Sequence, residues 1–281
     1  MNALNFRKKL VATCLCGLAA ALCAYPFIWM FFSSFKTNKE IYQPLLFFPS
    51  DYETDAFASL LSGKLPNGST LPFSFGEVFA HSILASGAQA LFATALTAMA
   101  GYAFAKLRFR GKRLLFLLAI LVILVPRQAL AVPLFEWISQ LNLNGSLWAV
   151  ILPGAASGIG VIFFTQIFRR VPDSLVEMAR LEGASEARVF LVLLPLVSPA
   201  LVTYGLIHFI LAWQEHLFPL LLLSEDNQVL PLALAKLRDS SHRIPEAISM
   251  AAATSTLLPV TMLFALFHRQ IHTALKDFTA H

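Results

Sequence analysis

The sequence predicts an all-α protein that crosses a membrane six times. Of its 281 residues, 57% are hydrophobic and only 13% are charged, whereas a soluble domain carries about 25% charged residues. The apolar residues lie in long uncharged stretches, and a helix needs about 20 consecutive apolar residues to span a bilayer. A water-soluble core could not bury this much apolar surface, so the membrane is part of the predicted fold.

Six stretches are long enough for a tilted helix to cross the hydrocarbon. The third is the weakest, because Arg127 interrupts it directly after Pro126. An even number of spans places both termini on one side, and we expect the chain 1–281 to form one transmembrane domain. The expected spans are about 10–33, 78–105, 114–135, 147–168, 196–222 and 247–267.

The first span follows a basic N-terminus, as the apolar part of a secretory signal peptide would. That part of a signal peptide is about 7–15 residues long, whereas Leu10 to Phe35 carries no charge, so a retained helix is favoured. Cys14, Cys16 and Cys23 all lie in this stretch. A disulfide framework would need loop-borne pairs and a metal site more ligands, so we interpret them as small hydrophobic residues and expect no metal.

Lysine and arginine are retained on the cytoplasmic side of membrane proteins, and their distribution predicts the orientation. With the N-terminus inside, fourteen of them lie on the cytoplasmic side and seven outside. The net charge of +5 is then a consequence of insertion, and nucleic acid need not be invoked. The cytoplasmic set is Arg7, Lys8, Lys9, Lys106, Arg108, Arg110, Lys112, Arg113, Arg169, Arg170, Arg180, Arg188, Arg269 and Lys276, and the outer set is Lys36, Lys39, Lys64, Arg127, Lys236, Arg238 and Arg243.

Two polar stretches lie between the spans. Residues 36–76 are rich in proline, serine, glycine and aromatics, and they predict an irregular outer loop without helical period. Residues 169–195 are too polar to span and strongly patterned. There, Pro172 suits a first helical position, Asp173 places negative charge in the first turn, and Gly183 offers a left-handed stop, which predicts a helix over about 173–182.

This helix is expected to be amphipathic and to be followed by a second one. Leu175, Met178 and Ala179 fall at i, i+3 and i+4 and form one apolar face. After the glycine, Ser185 can cap a helix with Glu186 in its first turn. Pattern alone leaves two interpretations open, a docking element held out of the membrane or an amphipathic linker on the lipid surface.

The segment EMARLEGAS…LLP resembles the loop signature of ABC importer permeases. There, Glu-Ala-Ala, three residues, Gly and a later Leu-Pro form the coupling helix that docks into a cleft on the ATPase subunit. Met178 departs from the pattern at its second position, and the stretch from the glycine to Leu-Pro is one residue shorter than usual. The resemblance implies an ATPase-coupling loop containing Glu177, Met178, Ala179, Gly183, Ala184, Leu194 and Pro195.

Three further segments resemble the carbohydrate branch of these permeases, the maltose type and the glycerol-phosphate type. PFIWMFFSSFKTNKEIY resembles the end of their first span, GYAFAKLRFRGKR their second span with its basic turn, and WQEHLFPLLLL their fifth. Gln214 stands where Asn is commoner, His81 stands where Asn is usual at the opening of span two, and the C-terminal tail lacks the typical small-residue ending.

The resemblance implies a multi-pass protein of the bacterial cytoplasmic membrane that imports a sugar or sugar-like solute by alternating access. Implied partners are a second, different permease, two cytoplasmic ATPase subunits that bind ATP and Mg²⁺, an extracytoplasmic solute-binding protein and membrane lipid. The sequence contains no GxxxxGK[ST] phosphate loop and no Gly-x-Ser-x-Gly elbow, so we expect neither an enzyme active site nor a cofactor in this chain.

Three alternatives remain open at this point. The same architecture could import a phosphorylated polyol or a polyamine. An ion-coupled secondary transporter would want paired intramembrane carboxylates and internal repeats, which the sequence does not show. A membrane scaffold without transport would not need the helix, glycine turn and helix.

Ionisable groups within a span cost about 2.5–3.5 kcal/mol on insertion scales, so they generally face protein or a water-filled path. For the cluster in span five the alternative is an outer interfacial belt, and one continuous helix would place Gln214 and His216 about 160° apart. Arg127 could instead snorkel outward, and His81 could be an interhelical hydrogen-bond partner. The candidate solute path comprises Trp213, Gln214, Glu215, His216, Arg127, Gln128 and His81.

Overall fold

The computed structural model describes residues 3–43, 46–238 and 244–279, and within them every regular element is helical. Arg243, assigned above to the outer set, and both chain ends lie outside the described residues. So do the side chains of Arg7, Lys8 and Lys276.

Helices of very different length alternate along the described residues, because prolines and caps interrupt several apolar stretches. The α-helices are α1 (Ala3–Ser33), α2 (Asn38–Ile41), α3 (Asp55–Ser62), α4 (Phe75–Lys106), α5 (Lys112–Leu124), α6 (Ala131–Gln140), α7 (Trp148–Gly154), α8 (Gly158–Arg170), α9 (Asp173–Leu181), α10 (Glu186–Leu193), α11 (Ser198–Trp213), α12 (Leu217–Leu222), α13 (Leu230–Leu237) and α14 (Glu246–Thr279). Short 3-10 segments lie at Arg127–Leu130, Leu194–Val197 and Glu225–Asn227.

Four helical stretches of the described chain are long and apolar enough to cross a membrane, and two bent helix pairs raise the number to six if each pair is one span. The count of six therefore remains a prediction. The four are Lys9–Ser33, Phe75–Lys106, Glu186–Trp213 and Glu246–Gln270, and the pairs are Lys112–Leu124 with Arg127–Gln140 and Trp148–Gly154 with Gly158–Arg170.

Continuous helices across 114–135 and 147–168 were wrong expectations. The first stretch is bent by 99° and the second by 44°. Pro126 lacks an N–H and disfavours helical geometry in the residue before it, and Val125 is accordingly extended, with φ −80° and ψ 119°. In the second stretch the Ser157 side chain accepts from the N–H of Gly160 and starts a new helix.

The chain divides into two compact units, Met1–Gly76 with Leu234–Leu258, and Glu77–Ala233 with Pro259–His281. The first unit begins with α1, whose most apolar window contains no buried residue. Its three cysteines are exposed and unpaired, as expected of residues that face lipid.

The outer segment of the first unit corrects a second expectation. It is not wholly irregular, because α2 and α3 form within it. Thr37 and Glu40 make a reciprocal capping box at α2, and Gly63 ends α3 with a φ of +70°. Helices this short do not show a period in the sequence. Hydrogen bonds from the Ser50 side chain and from the N–H groups of Thr37 and Ser50 lower the pKa of Glu40 to about 2.

The second unit contains two apolar clusters, one near the patterned polar loop and one around α7 and α12. Small residues permit close helix crossings there. A Cβ on Gly101 of α4 would lie 2.4 Å from the Cβ of Phe164 in α8. The first cluster includes Tyr102, Phe164, Phe168, Val171, Val176, Val189, Leu193 and Tyr204, and the second includes Ala85, Ile138, Ala149, Val150, Ile151, Phe218, Leu222 and Val229.

Candidate coupling loop and solute path

The expected helix, glycine turn and helix is present. Helix α9 ends one residue before the expected boundary, and Gly183 has a φ of +80°. The turn is closed by two backbone hydrogen bonds, from Gly183 N–H to the Arg180 carbonyl and from Ala184 N–H to the Ala179 carbonyl, both 3.0 Å. A residue with φ near +80° is most easily glycine, so this element of the prediction is confirmed.

The three residues predicted to form one apolar face of α9 lie in different environments. Val176 is the buried anchor, 3% exposed, and Ala179 packs beside it against the first cluster. Met178 is 56% exposed and Leu181 is 87% exposed. An apolar strip, which also includes Leu175, therefore faces away from the unit's own core, and the exposed Glu177 belongs to the same helix.

One end of this loop is fixed to α4 by Lys106, the last residue of that helix. Its side chain is only 5% exposed, and Nζ lies 2.5 Å from Asp173 Oδ1 and donates to the Val171 carbonyl at 2.6 Å. The hydrogen bond and the positive charge of Lys106 hold the pKa of Asp173 below its usual range. The start of α9 is therefore anchored by a nearly buried cation.

Tyr102 forms a second anchor, one helical turn earlier on the same face of α4. Its hydroxyl donates to Glu186 Oε2 at 2.7 Å, and Arg180 holds the same carboxylate at 2.8 and 3.2 Å. The phenol ring packs against Phe168 and Phe190. Both loop helices are therefore tied to one membrane helix. From the sequence, Lys106 indicated only orientation, Asp173 and Glu186 only first helical turns, and Tyr102 had no predicted role.

The remaining predicted coupling residues lie along the return to the membrane. Ala184 packs against the first cluster, while Leu194 is half-buried and Pro195 is exposed in the 3-10 segment before α11. The i, i+4 spacing of Tyr102 and Lys106 was the signal that could have revealed the anchors.

The expected fifth span, 196–222, is also not one helix. Helix α11 ends at Trp213, and α12 begins at Leu217. Pro219 has no N–H to offer the carbonyl of residue 215, which disfavours a continuous helix here, although α1 and α14 continue through Pro26 and Pro259. Glu215 Oε1 instead accepts from the N–H groups of His216 and Leu217, both at 3.0 Å, so the carboxylate caps backbone donors that the break releases.

The structure brings two helix breaks together. Arg127 lies at the break between α5 and α6, and Glu215 lies at the break between α11 and α12. Arg127 Nη1 is 3.9 Å from Glu215 Oε2. Its guanidinium also lies 5.3 Å from the centre of the Phe218 ring. The Arg127 side chain is 62% exposed, so the pair is accessible.

The other candidate path residues divide into buried and exposed groups. Trp213 is buried against Phe79 and Phe209, and His81 is half-buried with an Nδ1 that has no hydrogen-bond partner among the described residues. Gln214, His216 and Gln128 are exposed. A cavity of about 10 Å³ beside Trp213 and Glu215 has room for about one water, so a solute does not fit there.

Comparison with known proteins decides the family. Residues 93–277 match the family model described as binding-protein-dependent transport system inner membrane component. The chain belongs to this family. The match contains the anchored loop and both helix breaks.

Curated relatives of this permease align along nearly its whole length. The arabinooligosaccharides transport system permease protein AraQ of Halalkalibacterium halodurans is 29% identical over 89% of this chain and 88% of its own. The trehalose transport system permease protein SugB of Mycobacterium tuberculosis is 30% identical over 90% of each chain. The sn-glycerol-3-phosphate transport system permease protein UgpE of Yersinia pestis is 27% identical over 92% and 93%.

A solved structure shares the fold of the permease. It is a bacterial ABC transporter involved in the import of the acidic polysaccharide alginate, with a TM-score of 0.83 and 20% identity over 96% of this chain and 99% of that one. Membership of the family makes the protein an integral inner-membrane transport subunit that works with a separate ATPase and a solute-binding protein. The secondary-transporter, scaffold and enzyme interpretations are thereby set aside.

Proposed function

We propose that this permease forms half of the translocation path for a sugar or sugar-like solute and receives the ATP-driven movement through the loop from α9 to α10. The carbohydrate class is supported by the names of the relatives, which transport arabinooligosaccharides and trehalose. The glycerol-phosphate relative supports a phosphorylated polyol as the second candidate.

The proposed assembly contains a different permease as the other half of the path, two ATPase subunits that hold ATP and Mg²⁺, and an outer binding protein. In this assembly both termini and the anchored loop lie on the cytoplasmic side, as the distribution of lysine and arginine indicates. The chain itself holds no nucleotide.

The observation that carries the coupling proposal is the anchoring of the loop on α4. The exposed strip of Leu175, Met178 and Leu181 offers apolar area to a cleft of the ATPase, and Glu177 adds a charged contact. Force applied there passes through Val176 into the apolar cluster and through Lys106 into α4. A linker lying on lipid would not need a nearly buried cation to hold it.

The solute path is proposed where the two helix breaks meet. Irregular backbone at membrane depth is tolerated only where it is buried in protein or lines a water-filled cavity. The exposed side chains of Arg127, Gln214 and His216 favour the water-filled alternative, and they offer the hydrogen-bond donors and acceptors that hydroxyl-rich solutes need. Because the cavity beside Glu215 is too small for a solute, transport requires these segments to separate.

Reconstitution tests the proposal directly. The purified complex in proteoliposomes should take up a sugar when ATP, Mg²⁺ and the binding protein are present, and mass spectrometry of the co-purified solute identifies which sugar. The isolated permease should neither bind nor hydrolyse ATP. ATP turnover by the single chain, or uptake without the ATPase subunits, would contradict the proposal.

A further inference from the structure

Five of the cations around the turn from α4 to α5 and the end of α8 form no ion pair within the described ranges. Lys106 and Arg180, in the same unit, are each paired with a carboxylate. The preference of cations for the cytoplasmic side explains their presence but not why they remain without internal counter-ions. The five are Arg108, Arg110, Lys112, Arg113 and Arg169.

The fold holds three of these cations together. Gly111 turns the chain with a φ of +79°, and Phe104 of α4 contacts Phe116 of α5 at 5.4 Å between ring centres. Arg169, at the end of α8, lies 5.8 Å above the Phe116 ring. Helices α5 and α8 also cross closely, since a Cβ on Gly158 would lie 2.4 Å from the Ala119 carbonyl oxygen.

These like charges repel one another, and a bound anion would relieve the repulsion. Lys112 Nζ donates to the Leu107 carbonyl at 2.8 Å, while the charges of Arg108 and Arg169 both repel it. Like charges at the edge of a low-dielectric region raise the free energy of the unit unless a counter-charge is bound. A phosphate oxygen accepts charge-assisted hydrogen bonds from both ammonium and guanidinium groups.

The adjoining apolar surface favours a lipid as the source of a phosphate group. Helix α5 continues from the basic residues with apolar side chains that remain exposed, among them Leu114 at 62%, Leu117 at 49% and Leu121 at 45%. We propose that Arg108, Lys112 and Arg169 bind the headgroup of an anionic phospholipid whose acyl chains lie along α5. A free phosphate would leave the apolar part of this surface unused.

The test uses the assembled transporter, stripped of lipid in detergent and then given an equimolar mixture of phosphatidylglycerol and phosphatidylcholine with identical acyl chains. Native mass spectrometry should show preferential retention of phosphatidylglycerol. Each cation near the headgroup should contribute about fivefold in affinity, so Lys112→Gln/Arg169→Gln should weaken this retention about 30-fold. The charge-conserving pair Lys112→Arg/Arg169→Lys should keep the preference.

The matched control is Lys64→Gln/Arg188→Gln, which removes two exposed cations elsewhere in the chain and should leave lipid retention unchanged. Equal loss in the control, or equal retention of both lipids by the parent complex, would overturn the proposal. Displacement of phosphatidylglycerol by inorganic phosphate alone would show a free-anion site and also overturn it. If the glutamine pair fails to assemble, rising salt must still release phosphatidylglycerol, and not phosphatidylcholine, from the parent complex.

Discussion

The ion pair at the anchored loop and the ion pair where the two helix breaks meet differ in burial and in length. At the loop, Lys106 is almost fully buried and lies 2.5 Å from its carboxylate partner. At the breaks, Arg127 is largely exposed and lies 3.9 Å from Glu215. The loop pair is short and its cation is enclosed by protein, although the Asp173 side chain is 79% exposed. The pair at the breaks is long, and its energy is correspondingly small.

This difference agrees with the proposed roles of the two regions, transmission of movement by the loop and opening of the solute path at the breaks. A loop that transmits movement must not yield, so it is fixed by a nearly buried cation, a phenol and an apolar cluster. A path that opens and closes needs contacts that separate at little cost. If rigidity is confined to the loop end of the second unit, substitutions there should disturb assembly and coupling more than substitutions at the breaks.

The largest effect is expected at the crossing of α4 and α8. Gly101→Ala places a Cβ 2.4 Å from the Phe164 Cβ and 2.7 Å from its carbonyl carbon, which forces the helices apart at a cost of about 1–3 kcal/mol. We expect loss of assembled transporter, measured by the yield of complex after gel filtration. Gly87→Ala is the control in the same helix, because nothing lies within 4 Å of its added Cβ. Equal yields from both variants would show that the loop end of α4 is not tightly packed.

Gly183→Val should give the next largest effect. Its φ of +80° costs an L-residue about 1–2 kcal/mol, and β-branching adds strain. We expect normal membrane insertion but loss of ATP-driven uptake, because α10 no longer leaves α9 at the required angle. Gly183→Asn should retain most uptake, since asparagine tolerates this conformation. Wild-type uptake by the valine variant, with normal recovery of the ATPase subunits, would reduce the loop to a linker.

Tyr102→Phe removes one hydroxyl and keeps the ring packing. The lost hydrogen bond to the Glu186 carboxylate is worth about 1.5 kcal/mol, the lower end for a bond to a charged group, because that side chain is 48% exposed. Arg180 still holds the carboxylate. We expect intact complexes in which solute uptake per ATP hydrolysed falls several fold, because α10 is less firmly tied to α4. The control is Tyr25→Phe, whose ring is exposed on α1. An unchanged ratio of uptake to hydrolysis would assign Tyr102 to packing alone.

The smallest effect on stability is expected at the break between α11 and α12. Glu215→Gln keeps an acceptor for the two N–H groups and loses only a partly exposed ion pair, so stability should change by less than about 1 kcal/mol. Uptake should nevertheless change, because a charge is removed from the path. Glu136→Gln, exposed on α6, is the control. Unchanged uptake in both variants would remove Glu215 from the mechanism.

Labelling of introduced cysteines distinguishes a solute path from an interfacial belt at the same break. In a background without cysteine, Gln214→Cys and Glu215→Cys should react with a membrane-impermeant maleimide, and trapping with ATP and vanadate should change the rate at one of them. Lys64→Cys, in the exposed outer segment, should label steadily in every state. A steady rate at all three positions would indicate an interfacial belt at the break.

The coupling loop was largely predictable because its signals are local. A first-turn acid, an amphipathic period and a glycine stop act within one or two helical turns, so α9 and its end could be read from neighbouring residues. Which apolar residues face inward could not be read in the same way. Val176 and Met178 are both compatible with an amphipathic helix, and only packing within the first apolar cluster decides that Val176 is buried.

By itself, the sequence determined that this is a helical membrane protein with a patterned polar loop, because hydropathy, charge and turn chemistry are properties of short segments. Pro126 and Pro219 lie at or beside two helix breaks, but Pro26 and Pro259 lie inside unbroken helices, so proline alone does not locate the breaks. The meeting of the two breaks, the attachment of the loop by Tyr102 and Lys106, and the grouping of three cations beside α5 are visible only in the folded structure. Those facts depend on which helices lie next to one another, and distant segments become neighbours only when the apolar faces of the whole unit pack together.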